Sequence, residues 1–309
     1  MSEPEVLVDV VAGVGRIRLN RPRAINALSY AMLQTIRRVL DDFAVDPEVE
    51  RVELTGAGER GLCAGADVRA LRAVIGDGSD PAEFLGFEYA LNLAIAEFPK
   101  TYTAVMDGIT MGGGMGLSVH GSDRVVTPTS QLAMPETQIG LYPDVLVTWY
   151  FSRMPAEVGT HLALTGTAVN AADALWLGLA DRVVGTLPSP VLAVDHDWIT
   201  ECYAGDDPVA ILERLSRHPQ PQAHQAAETL RARSPLAVHV ALAALRRAAG
   251  LTLAEVAAQD LVACSALARH PDFAEGVRAQ LVDRDRTPHW THASLDEVTP
   301  AEVAAIFTA

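Results

Sequence analysis

The sequence predicts an α/β fold in which a strand-containing core is followed by an α-helical C-terminal region. Up to about residue 190, short runs of alternating polarity are interleaved with segments of helical periodicity, in the order β-β-α-β-α-β-α-β. That order is typical of α/β cores with crossover connections. From about Asp195 onward the pattern is almost wholly helical and rich in Ala and Leu. We therefore divide the chain into a core, residues 1–194, and a helical region, residues 195–309.

Local patterns justify the individual elements. Residues 6–11 and 15–19 alternate in polarity around Gly13, as the two strands of a β-hairpin do. Ser29 is a favourable N-cap for a helix that extends to about Asp42. The remaining core elements are expected as strands near residues 51–55, 102–106 and 124–126, and as helices that begin near residue 67 and span residues 82–97.

Composition excludes several classes of protein. The 309 residues are 49% hydrophobic, which is enough for a sizeable core, and no apolar run is long enough to span a bilayer. The net charge of −15 would repel a polyphosphate backbone, so nucleic acid is not an expected partner. The N-terminal residues are acidic where a targeting peptide would be basic, and the three cysteines are widely spaced. These features predict a cytoplasmic protein with reduced thiols.

A glycine-rich segment is the most informative feature of the chain. Gly112, Gly113, Gly114 and Gly116 follow the strand expected at residues 102–106 and precede a helix-like run. Such glycines let a ligand approach bare backbone N–H groups at a helix N-terminus, where the helix dipole favours negative charge. The segment therefore predicts a site that stabilises a developing negative charge.

Two carboxylates follow about twenty residues later, Glu136 and Asp144. Pro135, Gly140 and Pro143 argue against a helix between them, so a folded-back loop is expected to bring both to one pocket. Oxyanion donors with nearby carboxylates indicate chemistry at a carbonyl group. The structural alternatives are that Glu136 is an N-cap or surface carboxylate and that Asp144 caps the following helix.

Two other motif matches are rejected. Residues 56–61 read G-x-G-x-x-G after a strand, but a dinucleotide-binding fingerprint needs its helix to open inside the motif, and residues 62–66 intervene here. His289 and His292 have no neighbouring third ligand, and the cysteines form no C-x-x-C pair. No metal site is expected.

Several longer motifs carry a family resemblance: Leu19-Asn-Arg-Pro22, Leu62-Cys-Ala-Gly-Ala-Asp-Val68, Met111-Gly-Gly-Gly114, Met134-Pro-Glu-Thr137, Pro143-Asp-Val145 and His270-Pro-Asp-Phe-Ala-Glu-Gly-Val-Arg-Ala279. With these motifs nearly the whole chain resembles the crotonase (enoyl-CoA hydratase/isomerase) superfamily, and within it the 3-hydroxyisobutyryl-CoA hydrolase branch. The resemblance implies a superhelix of ββα turns. It also implies a substrate that is a CoA thioester, no separate cofactor, and a homo-oligomer, either a trimer or a hexamer.

The resemblance assigns roles residue by residue. It implies that the backbone N–H groups of Ala66 and Gly113 hold the thioester carbonyl oxygen. Glu136 falls on the carboxylate that many members share, and Asp144 on the second carboxylate of the hydrolase branch. The residues expected to contact the substrate or CoA are Arg23, Ala64, Gly65, Asp67, Gly112 and Gly114.

The sequence departs from the family pattern at two places. Gly116 stands where hydratases carry a second glutamate, so water addition by two glutamates is not expected. Leu146, Val147 and Thr148 stand where the hydrolase branch has glycines after Pro-Asp-Val. These three side chains are expected to narrow the acyl site, change the substrate or abolish the reaction.

Three functional hypotheses follow. The first is hydrolysis of a short branched 3-hydroxyacyl-CoA that uses the backbone oxyanion hole and both carboxylates. The second is a Δ3-Δ2 enoyl-CoA isomerase, or another hydratase/isomerase activity, that uses Glu136 alone. The third is a non-catalytic protein that binds CoA esters on the same frame.

Overall fold

The computed structural model describes residues 3–308, and of Val74 only the backbone. The outer ends of the two predicted regions, residues 1, 2 and 309, lie outside this range. The strands within it are β1 (Val6–Val11), β2 (Val14–Leu19), β3 (Arg51–Gly56), β4 (Thr101–Met106), β5 (Ile109–Met111), β6 (Asp123–Val126), β7 (Gln131–Ala133), β8 (Val169–Asn170) and β9 (Arg182–Val183).

The strands form two sheets. The six-stranded sheet has the order β1-β2-β3-β4-β6-β9, and the three-stranded sheet has the order β5-β7-β8. In the larger sheet, β1 pairs antiparallel with β2 as the predicted hairpin, and the other pairs are parallel. Parallel neighbours need crossover connections, which explains the helices that separate these strands in the chain.

The helices of the described chain range from four to 17 residues in length. They are α1 (Tyr30–Val45), α2 (Val68–Gly76), α3 (Pro81–Ala96), α4 (Gly113–Gly116), α5 (Val147–Phe151), α6 (Val158–Thr165), α7 (Ala171–Trp176), α8 (Asp197–Tyr203), α9 (Pro208–Arg217), α10 (Pro221–Arg231), α11 (Pro235–Ala248), α12 (Leu253–Arg269), α13 (Pro271–Val277) and α14 (Pro300–Ile306). Among residues 3–308, no helix combines the length and apolarity that a membrane crossing requires.

The predicted start of α1 is confirmed. The Ser29 side chain accepts a hydrogen bond from Met32 N at 3.2 Å, which satisfies one of the free N–H groups of the first turn. Leu33, Ile36 and Leu40 are buried at helical spacing, so one face of α1 packs into the core. The helix ends at Val45, three residues later than the periodicity predicts.

A ββα order recurs along the chain. The strands β4 and β5, in the larger and the smaller sheet respectively, are followed by α4. In the same way β6 and β7 are followed by a 3₁₀ turn, Glu136–Ile139. After β3, Cys63 forms an isolated parallel bridge with Thr110 of β5 before α2 begins. The predicted superhelix of ββα turns with a helical C-terminal region is thus confirmed.

Close contacts group the chain into two compact units. Within the described residues, unit 1 comprises residues 3–67, 87–133 and 168–193, and it contains all strands of the described chain. Unit 2 comprises residues 68–86, 134–167 and 194–308 and is helical. The grouping is interleaved along the chain, so the boundary expected near residue 195 between two consecutive regions stays a prediction.

An aromatic cluster lies in the core of unit 2. His161 is buried, and its Nδ1 lies 2.8 Å from Tyr203 Oη. The rings of Trp198 and Tyr203 pack edge to face against the imidazole, with distances between ring centroids of 5.3 and 5.2 Å. Burial lowers the pKa of His161 from 6.5 to about 4, because a charged imidazolium would lose its hydration.

This depressed pKa predicts acid-sensitive stability. Between pH 6.5 and 4 the unfolded chain binds a proton at His161 that the folded protein excludes, so unfolding is favoured as the pH falls through this window. The contribution is about 3 kcal/mol across the window. It is measured as the difference in free energy of unfolding between wild type and His161→Gln at pH 4 to 7. His289→Gln, at an exposed position, is the control. Parallel pH curves for wild type and His161→Gln would contradict the assignment.

Candidate active site

The loop that leads to Ala66 is held by Asn26. Asn26 is fully buried, and its side-chain amide donates to the carbonyl oxygens of Ala57, Gly61 and Leu62 at 3.0, 3.3 and 3.0 Å. Its side-chain oxygen accepts from Arg21 N at 2.9 Å. A single buried side chain thus satisfies four backbone groups that form no ladder hydrogen bonds, and it fixes the course of this loop.

Backbone pairing then fixes Ala66 itself. Leu28 N donates to Gly65 O, and Asp67 N donates to Leu28 O, both at 2.9 Å. These two bonds enclose Ala66 and form an isolated parallel bridge between it and Leu28. The bridge turns the Ala66 N–H away from Leu28. The next helix begins only at Val68, beyond the G-x-G-x-x-G segment at residues 56–61. That segment therefore lacks the helix that a dinucleotide-binding fingerprint requires.

The triple-glycine loop lies beside Ala66. A Cβ placed on Gly113 would lie 3.3 Å from Ala66 N, and it would collide with Glu88 Oε1. Among the described residues, the N–H groups of Ala66 and Gly113 have no hydrogen-bond acceptor. Since nearly all backbone N–H groups in protein interiors are bonded, two open donors this close together are chemically significant. One oxygen atom can accept hydrogen bonds from both, as an oxyanion would.

Sequence reasoning missed Glu88. This carboxylate is 2% exposed in α3, and its Oε1 lies next to Gly113. One turn further along α3, both amide atoms of Asn92 are buried and have no hydrogen-bond partner among residues 3–308. The available signal was the composition of α3, in which Tyr89, Leu91 and Ile95 are buried on several faces. Polar side chains in a helix of this kind are buried, and buried polar groups need a partner.

Cys63 packs behind the two loops. Its Sγ lies 3.3 Å from Asn26 O and 3.4 Å from Gly65 N. Burial, together with a smaller effect of the nearby Glu88 carboxylate, raises the pKa of the thiol to about 12. The thiol is therefore not a nucleophile at neutral pH. All three cysteines are buried, and none of them forms a disulfide.

Of the other residues expected at the substrate, three lie close to the two open donors. Gly65 has φ +106°, and a Cβ there would approach Gly113 N to 3.6 Å. A Cβ on Gly114 would lie 2.6 Å from Cys63 O, so glycine allows the two loops to touch. Gly112 caps α4, and its N–H donates to Ala133 O at 3.3 Å.

The remaining three have different surroundings. Ala64 is exposed and donates its N–H to Ile25 O at 2.9 Å. Asp67 forms an ion pair with Arg21 at 3.0 Å, which gives it a structural role in the loop. Arg23 is exposed; its carbonyl oxygen accepts from Arg60 Nη2 at 2.6 Å. Within the described chain, the Arg23 guanidinium forms no ion pair.

Glu136 lies in unit 2, at the first position of the 3₁₀ turn, and is 8% exposed. Gly140 ends the turn with φ +76°, a conformation that glycine adopts without cost. A Cβ on Gly140 would lie 2.6 Å from Asp272 C, and one on Gly276 would lie 2.5 Å from Ile139 Cα. Helix α13, which carries Asp272 and Gly276, therefore lies directly against the turn. Glu136 is neither a helix N-cap nor a surface carboxylate.

Asp144 lies on the next turn of unit 2 and is 7% exposed. It is not the N-cap residue of the following helix, because α5 begins at Val147 and its N-cap is Leu146. Val145 and Leu146 have φ values of +48° and +64°. The left-handed region costs an L-residue about 1–2 kcal/mol, so glycine would be the favoured residue here. The side chains of Leu146, Val147 and Thr148 are fully buried.

The described titratable side chains offer no cluster that could serve as a metal centre. Across residues 3–308, no three His, Cys, Asp or Glu side chains lie close enough to one another to bind a metal ion. Glu136 and Asp144 are on consecutive turns of unit 2, and the convergence of both on one pocket stays a prediction.

Comparison with known proteins identifies the family. A sequence profile described as enoyl-CoA hydratase/isomerase matches residues 14–192 and 185–307. The chain belongs to this family. The 3-hydroxyisobutyryl-CoA hydrolase of Gallus gallus mitochondria is 36% identical over 96% of the chain and 87% of that protein. The mitochondrial hydrolase of Homo sapiens is 33% identical over 97% of the chain and 87% of that protein.

Two crystal structures are similar over almost their full length. The protein from Mycobacterium thermoresistibile described as a carnitinyl-CoA dehydratase has a TM-score of 0.95 at 42% identity, covering 99% of this chain and 96% of that one. The enoyl-CoA hydratase from Rhodobacter sphaeroides has a TM-score of 0.94 at 37% identity, covering 98% and 97%. The family and the fold expected from the sequence motifs are confirmed.

The open N–H groups of Ala66 and Gly113 predict the effect of adding one methyl group at Gly113. In Gly113→Ala the added Cβ occupies the space beside Ala66 N and Glu88, so it displaces a bound carbonyl oxygen. We expect kcat/KM for an acyl-CoA substrate to fall about 10²–10³-fold, as for the loss of one oxyanion donor. Gly76→Ala is the control, because a Cβ there meets nothing within 4 Å. A folded Gly113→Ala protein with wild-type kcat/KM would exclude this position from catalysis.

Proposed function

We propose that the protein hydrolyses the thioester bond of a short, branched 3-hydroxyacyl-CoA, as the 3-hydroxyisobutyryl-CoA hydrolases among its relatives are named to do. The observation that carries the proposal is that the chain has both the open N–H groups of Ala66 and Gly113 and, in addition to the family carboxylate Glu136, a second nearly buried carboxylate, Asp144. Similarity to the named hydrolases over 96% of the chain supports it.

The proposed chemistry begins at the thioester carbonyl. Water adds to C1, the carbonyl oxygen becomes an oxyanion, and Ala66 N–H and Gly113 N–H donate to it. The C–S bond then breaks, CoA leaves as the thiolate and takes up a proton, and the free acid is formed. Glu136 and Asp144 share two tasks. One carboxylate accepts the proton of the water and passes it to the leaving thiolate or, alternatively, attacks C1 itself to give a mixed anhydride that water then hydrolyses; the other binds the 3-hydroxyl group.

Glu88 adds a third carboxylate to this scheme. Because its Oε1 borders Gly113, it is within reach of an acyl chain whose carbonyl oxygen is bound there. A carboxylate at that position accepts a hydrogen bond from a substrate hydroxyl. We propose that it contributes to the preference for a hydroxylated acyl group.

The other reactions of the family remain as alternatives. Carnitinyl-CoA dehydratase and enoyl-CoA hydratase are the names of two structural relatives, which favours proton transfer at C2 as the second candidate. Gly116, buried in α4, weighs against a hydratase that uses two glutamates. A Δ3-Δ2 isomerase needs Glu136 alone, and Asp144 weighs against it. A cytoplasmic location and a trimeric or hexameric assembly remain predictions from the sequence.

The deciding measurement is CoA release. Incubation with 3-hydroxyisobutyryl-CoA is expected to liberate free thiol, with slower release from isobutyryl-CoA, which lacks the hydroxyl. Glu88→Gln is expected to reduce this discrimination. Exchange of the C2 proton into deuterated water without thiol release identifies the isomerase or hydratase class. Tight acyl-CoA binding without either reaction identifies the non-catalytic class, and absence of thiol release at every acyl length rejects the hydrolase.

Substitution of the carboxylates separates the two enzyme candidates. Glu136→Gln removes a proton acceptor without a change of shape, so we expect loss of turnover with CoA-ester affinity largely preserved. Asp144→Asn is expected to be nearly as damaging to a hydrolase and mild in an isomerase. Steady-state kcat and calorimetric affinity are the readouts. Near wild-type kcat in Glu136→Gln would remove it from the mechanism.

Arg23 is proposed to contact the phosphates at the nucleotide end of CoA. Its exposed guanidinium forms no ion pair within the described residues, so it is available to an anion. Arg23→Ala is expected to raise KM for CoA esters with little change in kcat, because uniform binding is lost. The effect shrinks at high salt and disappears with pantetheine thioesters. An equal loss on both substrates would place the action of Arg23 elsewhere.

A further inference from the structure

A buried carboxylate in unit 2 spans the turn that carries Asp144. Asp260, in α12, is fully buried. Tyr142 Oη donates to its Oδ1 at 2.6 Å, and Leu146 N donates to its Oδ2 at 2.8 Å. The two donors stand two residues before and two residues after Asp144. The Asp260 side chain is therefore hydrogen-bonded to both ends of the five-residue segment that has Asp144 at its centre.

The segment needs such a restraint. Val145 and Leu146 both have positive φ, which a bulky L-residue avoids, and a conformation of this kind persists only where the surroundings enforce it. The Leu146 N–H that Asp260 binds belongs to one of these two residues. Loss of this bond would let the segment relax toward ordinary backbone angles, and Asp144 would move with it.

Burial and three neighbouring groups act on the ionisation of Asp260. Burial raises its pKa well above the ordinary value, and the charge of Asp144 raises it further, while the bonds from Tyr142 and Leu146 oppose the rise. Cys264 lies one turn further along α12 and acts on Tyr142, whose own pKa is raised by burial. Both carboxylate oxygens of Asp260 accept, which is the arrangement that suits the ionised form.

We propose that Asp260 is a positioning residue that holds the Asp144 carboxylate in its working place by bonding Tyr142 and Leu146 across the turn. The proposal rests on the proposed function, in which Asp144 acts on the substrate. Asp260 acts only through the turn. Its loss therefore misplaces a reacting group and lowers kcat more than it raises KM.

Asp260→Asn is the primary test. The amide has the shape of the carboxylate but only one oxygen, so it accepts from one donor and presents an N–H to the other. We expect kcat to fall about 10–100-fold, the order that a displacement of about 1 Å causes, with KM within about twofold of wild type. Tyr142→Phe retains the bond to Leu146 and is expected to have a smaller effect. An unchanged kcat in Asp260→Asn would overturn the proposal.

Asp173 provides a matched control. It is also a buried carboxylate, 1% exposed, and it accepts from Val191 N and Ala193 N at 3.1 and 3.0 Å in unit 1. Asp173→Asn removes the same kind of bond from a different loop. We expect its Tm to fall as in Asp260→Asn while kcat stays at the wild-type value. Equal losses of kcat in the two variants would mean that Asp260 serves stability alone.

A second substitution, at Leu146, tests whether Asp260 positions Asp144 or only stabilises the fold. Glycine adopts φ +64° freely, so Leu146→Gly reduces the need for the restraint. In the Asp260→Asn background, we expect Leu146→Gly to restore kcat about tenfold even though loss of a buried leucine lowers Tm. A merely structural Asp260 predicts the opposite, since a second lesion would lower kcat further. Absence of recovery would overturn the strain argument.

Amide exchange keeps this proposal separate from the proposed function. In Asp260→Asn, hydrogen–deuterium exchange is expected to accelerate in the peptide covering residues 141–148 and to stay unchanged in 187–193; Asp173→Asn is expected to give the reverse. If the wild type releases no CoA, the hydrolase proposal fails, and C2 proton exchange replaces thiol release as the kinetic readout. Unchanged exchange at residues 141–148 would overturn the role of Asp260 whichever reaction the protein catalyses.

Discussion

The candidate site in unit 1 depends on two backbone N–H groups that lie close together and have no acceptor among the described residues. Ala66 and Gly113 can remain open donors only because neighbouring groups fix both loops independently. The Asn26 side chain and the Leu28 backbone hold the first loop by hydrogen bonds. Gly114 contacts Cys63, so the second loop packs against the first. The N–H groups of Ala66 and Gly113 are therefore held in place and left available to a ligand.

Two helices of unit 2 contact the turns that carry Glu136 and Asp144. Helix α13 reaches the Glu136 turn through two glycine contacts, at Gly140 and Gly276. Helix α12 reaches the Asp144 turn through the Asp260 carboxylate. These contacts explain why a motif near the C-terminal end, residues 270–279, belongs to the family pattern although it carries none of the expected reacting groups. Its glycine is needed where two backbones touch.

Sequence reasoning succeeded where the determining interactions are local. The hairpin, the Ser29 cap and the principal strands follow from alternation and capping within a few residues, so they could be predicted. Short strands such as β8 and β9 have two residues each and depend on partners far away in the chain. Glu88 was missed for the same reason, since its neighbour Gly113 is on another element.

The conformation of Leu146 shows a different limit. Residue preference indicates that leucine avoids positive φ, yet a bond from its N–H to a side chain 114 residues away overrides that preference. The left-handed backbone is present at Leu146 although this residue is not a glycine. What the sequence could not provide was the distant acceptor that makes this possible.

The burial of Cys63 has a practical consequence for the study of loop motion. Its thiol lies under the loop that carries Ala66, and a pKa of about 12 keeps it unreactive while that loop is closed. Reaction with a thiol reagent therefore requires the loop to open. The rate of labelling at Cys63, resolved from Cys202 and Cys264 by peptide mass, then reports how often this loop separates from its neighbours, and a ligand bound at the Ala66 and Gly113 N–H groups would slow it. The native Cys63 thiol can therefore serve as a probe for the opening of this loop.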